Sequence, residues 1–187
     1  MADMSKPPKP SCPGSGPRVE DVPDGDDRLR LICPDCGFIH YENPKMVVGS
    51  VVRSGDRVLL CRRAIAPRLG YWTLPAGYLE LNEAPHEGAM REALEEANAR
   101  IEILSLLAVY SIPRLSQVQL IYRARLTDEA IEPGIESLAV GLFSWARIPW
   151  SEIAFPTVRW ALHHDRDLGE TEVFEPRTNP PAESGLP

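Results

Sequence analysis

The chain has 187 residues, 43% of them hydrophobic and 25% charged, and a formal net charge of −7. That length supports one domain with a sizeable core plus tails, and the negative balance argues against a nonspecific nucleic-acid binder, which needs a basic face. No apolar run approaches the roughly 20 residues of a membrane span, and the start, MADMSKPPKP, lacks the apolar stretch of a secretory signal, so a cytoplasmic protein with no membrane or nucleic-acid partner is expected.

Residues 1–30 carry six prolines and little apolar content, which predicts a mostly disordered tail except where a cysteine ties it down. Residues 12–42 read as a zinc-ribbon-like segment. Cys33-Pro-Asp-Cys36-Gly37 has the form of a zinc knuckle, in which glycine lets backbone amides turn toward the thiolates. Upstream, Cys12-Pro-Gly-Ser15-Gly16 repeats the outline with serine for the second cysteine. Cys12, Cys33 and Cys36, with His40 or water as a fourth ligand, are the candidate zinc set; the other reading is a ribbon relic without metal. Cys61 falls in a predicted strand and reads as core.

Further along, MVVGSVVR (46–53) and RVLLCRR (57–63) flank Ser54-Gly55-Asp56 and predict a β-hairpin. A stretch punctuated by glycine and proline follows, and residues 84–97 then read as a helix. Asn82 or Glu83 leads into it, Pro85 suits its first turn, and Ala, Glu, Leu and Met fill its interior. Strands are predicted over 101–112, 117–126 and 138–148, and a second helix over 156–167 with Val158, Trp160, Ala161 and Leu162 toward one face. Strands and helices alternating around one core predict an α/β sandwich over 43–168, with a Pro-rich C-terminal tail over 169–187.

In the first helix, Glu92, Glu95 and Glu96 fall within one arc of about 100°, while Ala89, Met90, Ala93, Leu94 and Ala97 occupy another. Arg91 has Glu87 and Glu95 at i±4 spacing. Three carboxylates on one arc repel each other unless a positive charge lies between them. Hard cations such as Mg²⁺ or Mn²⁺ prefer oxygen ligands of this kind and commonly share them with substrate phosphates. A solvated polar face is the alternative, and the preceding loop decides between them. Gly77, five residues, Glu83, seven residues, then Arg91-Glu92-Ala93-x-Glu95-Glu96-x-Asn98-Ala99 resembles the Nudix box in every defining position but the last, where the family has glycine. Asn98 is the usual second choice for the left-handed conformation that closes a helix, so the departure is expected to be mild.

The resemblance implies an α/β/α sandwich around a mixed sheet, often dimeric, which makes a homodimer the expected assembly. It implies hydrolysis of a nucleoside diphosphate linked to another moiety. Glu92, Glu95 and Glu96 would be the Mg²⁺ or Mn²⁺ ligands, and Glu83 and Arg91 would hold the loop and helix together. A box glutamate or Glu136, in the GIESLAV loop, would be the general base; an exposed loop acid is the other reading of Glu136. Arg62, Arg63 and Arg68 either meet phosphate oxygens or face solvent. Trp72 and Tyr71 would stack on a base or pack under the turn. The segment from ICPDCGFIHYENPKMVVGSVV to IPWSEIAFP is similar to an ADP-ribose pyrophosphatase-like subgroup carrying an N-terminal ribbon. SIPRLSQ stands where NADH-cleaving relatives have an SQPWPFP-like stretch, and Pro113 lies fifteen residues past Asn98, as in ADP-ribose-cleaving relatives. ADP-ribose is therefore the expected substrate and FAD the close second. A nucleotide-sensing module that binds a partner through the knuckle is the alternative, and retention of all the box acids argues against it.

Overall fold

The computed structural model describes residues 14–181 and divides into two compact units, residues 1–43 and 44–187. Within the described part of the first, β1 (Val19–Asp21), β2 (Arg30–Ile32) and β3 (Ile39–His40) form an antiparallel sheet in that order. The irregular tail predicted through residue 30 therefore does not extend that far. Proline-rich composition excludes long strands, but here strands of two or three residues are reinforced by ion pairs. Arg18 grips Asp35 with both terminal nitrogens (2.8 and 3.1 Å), and Arg30 Nε donates to Asp26 at 3.0 Å. The Cys33–Gly37 segment forms a closed turn, the Gly37 amide donating to the Cys33 carbonyl (2.8 Å) and the Cys33 amide to the Phe38 carbonyl (2.8 Å). Cys12 lies outside the described residues.

The second unit contains β4 (Lys45–Ser54), β5 (Arg57–Arg63), β6 (Trp72–Thr73), β7 (Ala76–Tyr78), α1 (Pro85–Ala97), β8 (Ile101–Ile112), β9 (Gln117–Leu126), β10 (Ser137–Ser144) and α2 (Pro156–Leu168). Its sheet runs β10-β5-β4-β9-β8, with β6 on β5 and β7 on β4. β4 and β9 are parallel over Lys45–Arg53 and Gln117–Arg125, and the other pairings are antiparallel. The predicted hairpin forms, but only Arg53–Val58 and Ser54–Arg57 pair across it, because β4 turns its earlier residues to β7. The last strand stops at Ser144 rather than 148, where Trp145–Arg147 forms a 3-10 turn.

The pleat sorts neighbouring side chains onto two cores. Val51, Val58 and Leu60 join Leu107, Tyr110 and Ile121 beneath Val158, Ala161 and Leu162 of α2. Val52, Leu59 and Cys61 join Ile101, Ala124 and Leu126 beneath Ala93 and Ala97 of α1. A helix on each face of a mixed sheet is the predicted α/β/α sandwich. Alanines let α1 lie close to the sheet, bringing the first turn of its acidic arc down onto β7.

Beyond α2, the described residues up to 181 lie along the sheet edge. Arg177 exchanges backbone hydrogen bonds with β8, its amide donating to Leu107 (2.8 Å) and its carbonyl accepting from Val109 (2.9 Å). The Asn179 side chain bonds the amide and the carbonyl of Ser111 (2.9 and 2.8 Å). The strap satisfies edge groups that β8 would otherwise leave unpaired.

Candidate active site

The loop between β7 and α1 is shaped around one guanidinium. Arg91 Nε and a terminal nitrogen grip both oxygens of Glu83 (2.8 and 3.0 Å), and the same terminal nitrogen also donates to the Tyr78 carbonyl (3.0 Å). Its other terminal nitrogen reaches Glu92 (2.7 Å) and Glu95 (2.9 Å). Glu83 also accepts the Glu80 amide (3.1 Å), and the Arg91 hydrogen bond holds its carboxyl below the usual range. Glu83 and Arg91 thus tie loop to helix, as the box resemblance implies. Glu87, the other i±4 partner expected for Arg91, instead accepts the Ala84 amide (3.0 Å) at the helix start. Ala84, rather than Asn82 or Glu83, is the capping position, with φ −76° and ψ 145°.

Glu92 and Glu96 point inward, 8% and 6% exposed. Burial pushes both carboxyls upward; Glu96, with the Glu92 charge beside it, rises to about 8. The Ala76 amide makes a long contact with the Glu96 carboxylate (3.4 Å) and the Cys61 thiol lies against it, while the Arg63 charge favours its ionised form and Glu136 adds repulsion to both glutamates. Gly77 leaves room for the Glu92 carboxylate, which a Cβ there would meet at 2.3 Å and push aside. Glu95 faces outward, its side chain 58% exposed. Among the described residues no three His, Cys, Asp or Glu side chains converge into a ready-made metal cage, since Arg91 draws Glu92 and Glu95 to itself. The donor set nonetheless fits a hard cation: all oxygen, with two adjacent carboxylates desolvated together and lacking a full counter-charge.

The Glu136 loop is docked on the end of α1. The amides of Glu132 and Gly134 donate to the carbonyls of Ala97 and Glu96 (both 3.0 Å), capping groups that a helix C-terminus leaves open. A Cβ at Gly134 would strike the Glu95 carbonyl. This docking brings exposed Glu136 within electrostatic reach of Glu92 and Glu96, a placement that sequence spacing alone does not contain. Asn98 closes the helix in the left-handed conformation (φ 50°, ψ 24°), its amide donating to Leu94 at 2.8 Å.

The upstream arginines separate. Arg63 lies over Phe155, 5.2 Å from the ring centre, and its Nε donates to the Pro67 carbonyl (2.8 Å). Arg62 Nε donates to the Gly70 carbonyl (2.8 Å) on the exposed side, and Arg68 covers Tyr71 at 5.3 Å. Trp72 packs into the core edge-on to Phe143, 4.9 Å between centres. Cys61 is buried as expected, beside Glu96 and Ser137, and burial raises its thiol further. Cys33 and Cys36 share the knuckle turn, and His40 is drawn toward Glu42 (3.9 Å). Phe155 and Arg159, at the start of α2, belong to no spaced motif; only the fold brings Phe155 under Arg63 and sets Arg159 in a cleft with Arg68 and Tyr71.

Comparison with known proteins gives these residues their relatives. The NUDIX domain family matches residues 43–161, and the family described as Nudix N-terminal matches residues 12–42. A crystal structure of a NUDIX hydrolase from Nitrosomonas europaea superimposes with a TM-score of 0.81 at 48% identity, covering 86% of this chain and 91% of that one. A MutT-like protein of Streptomyces ambofaciens is 39% identical over 53% of this chain and 60% of its own length. An ADP-ribose pyrophosphatase of Methanocaldococcus jannaschii is 34% identical over 39% of this chain and 43% of its own. The matched region thus spans less than two thirds of either curated relative.

Proposed function

The chain belongs to the NUDIX family, and we propose that it hydrolyses the diphosphate of a nucleoside diphosphate linked to a second moiety. ADP-ribose is the preferred substrate in this reading, giving AMP and ribose 5-phosphate, and FAD is the second choice. The observation that carries it is the buried Glu92–Glu96 pair, held over Gly77 by the Arg91–Glu83 clamp. The kinship with an ADP-ribose pyrophosphatase and the placement of Pro113 support the substrate.

Glu92, Glu95 and Glu96 hold Mg²⁺ or Mn²⁺ in this proposal. When bound, the cation offsets repulsion between anionic substrate and anionic helix, polarises the phosphoryl oxygens and acidifies water. Arg63, facing Glu96 from the end of β5, meets phosphate oxygens; Arg62 and Arg68 guard the entrance. A water oxygen forms a bond to one phosphorus as the bridging P–O bond breaks. Glu136 takes the proton that this water loses, from a loop position that reaches both inward glutamates. Glu83 and Arg91 position the helix without touching the substrate. Cys12, Cys33 and Cys36 are the proposed ligands of a structural Zn²⁺ in the N-terminal unit, and two copies of the chain form the working assembly in the cytoplasm.

The test is a panel of ADP-ribose, FAD, NADH, diadenosine polyphosphates and nucleoside triphosphates with Mg²⁺ or Mn²⁺, products being separated by chromatography. AMP release fastest from ADP-ribose is expected. Binding of these compounds with no turnover under either metal would replace the hydrolase by a nucleotide sensor.

A further inference from the structure

A cleft of ≈ 290 Å³ opens between the 64–71 loop and the start of α2. Its walls include Arg68 and Tyr71 on one side and Phe155, Pro156 and Arg159 on the other, with Ser151 as a further hydroxyl, and no carboxylate lines it. In a chain of net charge −7 that is an unusual grouping. Neither Arg68 nor Arg159 makes an ion pair among the described residues, and the same holds for nearby Arg62 and Arg63. Arg159 is nevertheless steadied, since one of its terminal nitrogens donates to the Trp150 carbonyl. Arg68 is steadied by the ring of Tyr71. Both retain further donors. Arg63 links the cleft to the acidic helix: its guanidinium lies over Phe155, a wall residue, and its charge acts on Glu96.

We infer that this cleft is a second anion subsite, built for a phosphomonoester that the substrate carries away from the linkage to be cut. The inference rests on the hydrolase reading above and deepens it, by adding a third phosphate to the substrate that fits best. Two guanidiniums from separate segments match the double charge of a phosphomonoester and its several acceptor oxygens. A carboxylate would leave one of them uncompensated. Tyr71 and Phe155 already carry guanidiniums over their rings, so they serve as apolar walls for a sugar rather than as open platforms for a base. Arg68 and Arg159 thus set substrate preference rather than perform chemistry.

The test pairs a binding measurement with a preference ratio. Inorganic phosphate is titrated calorimetrically in metal-free buffer into the full chain and into Arg159→Leu and Arg68→Leu, with circular dichroism confirming that each variant is folded. Phosphate affinity should fall at least 5-fold in each variant. In parallel, kcat/KM is measured for ADP-ribose 2′-phosphate and ADP-ribose, which differ by one phosphomonoester. The ratio of the first to the second should exceed one and move toward one in Arg159→Leu. Phosphate affinity and ratio both untouched by the substitutions would overturn the subsite. If no diphosphate is turned over at all, the hydrolase reading fails while the phosphate titration still decides the subsite.

Discussion

Around Arg91 one guanidinium meets three carboxylates, whereas around Asp165 one carboxylate meets two guanidiniums. Asp165, fully buried on α2, accepts Arg53 Nε at 2.6 Å and Arg123 Nε at 2.8 Å. The second positive charge is met locally: Arg53 also reaches exposed Glu170 at 3.5 Å and donates to the Asp165 carbonyl, and Arg123 donates to the carbonyls of Gly169 and Thr171. Such carbonyls carry the negative end of a helix and its exit. The α2 cluster is therefore complete within the protein. The α1 cluster is not: Glu83 takes two of the Arg91 donors, Glu92 and Glu95 share a third, and buried Glu96 makes no ion pair among the described residues. A structural ion cluster closes its own accounts, and a binding site leaves a charge for its ligand to match.

Substitutions at the two clusters should fail differently. Asp165→Ala strands two partly buried guanidiniums, and loss of one partner from a buried pair costs about 3–5 kcal/mol. Chemical denaturation should show that loss, with turnover normal in the fraction that remains folded. Glu96→Gln should do the opposite, keeping the fold while kcat falls ~10²-fold or more as charge stabilisation at the reacting centre is removed. Normal turnover by this variant would remove Glu96 from the site.

A smaller effect comes from the neighbour of Asp165. His164 Nδ1 lies 2.8 Å from the Tyr110 hydroxyl, and burial, with Arg177 nearby, lowers its pKa below the ordinary 6.5. The folded state then binds this proton less readily than the unfolded chain does. Its contribution to stability is present above pH 6.5 and is lost as pH falls through the folded value. The melting temperature should thus drop more steeply between pH 7 and pH 5 for the parent chain than for His164→Gln; equal slopes would refute the assignment. The smallest change is Asn98→Gly, which removes a side chain from a left-handed position and should stabilise by at most about 1 kcal/mol with kcat unchanged. A large rate change would mean that the helix end positions the α1 acids more finely than its hydrogen bonds indicate.

The contrast also explains what was readable before the structure. The α1 site is written locally: Gly77, Glu83, Arg91 and the acids follow one another at fixed spacing, so loop, helix and left-handed Asn98 are all legible. The α2 cluster joins Arg53, Arg123 and Asp165 from three distant elements, and nothing in their individual neighbourhoods announces it. The same is true of Arg159 facing Arg68 across the cleft. Composition did not reveal the order of residues 18–40 or of the segment around Arg177 and Asn179. Prolines forbid long regular strands, but three-residue strands held by Arg18–Asp35 and Arg30–Asp26, or a strap pairing at Arg177 and anchored by Asn179, need no long strand. The inward and outward divergence of Glu92 and Glu95 was likewise hidden, because helical spacing places both on one arc and only the seating of α1 on the sheet decides which part of that arc is buried.

If the α1 acids hold a divalent cation, the folded chain is stabilised by it, and thermal melts with and without the metal read that directly. A cation that binds the folded state alone raises the melting temperature with its concentration. Mg²⁺ or Mn²⁺ should therefore raise the melting temperature of the parent chain, and most of that rise should vanish in Glu96→Gln. An identical rise in both proteins, or none in either, would contradict the account.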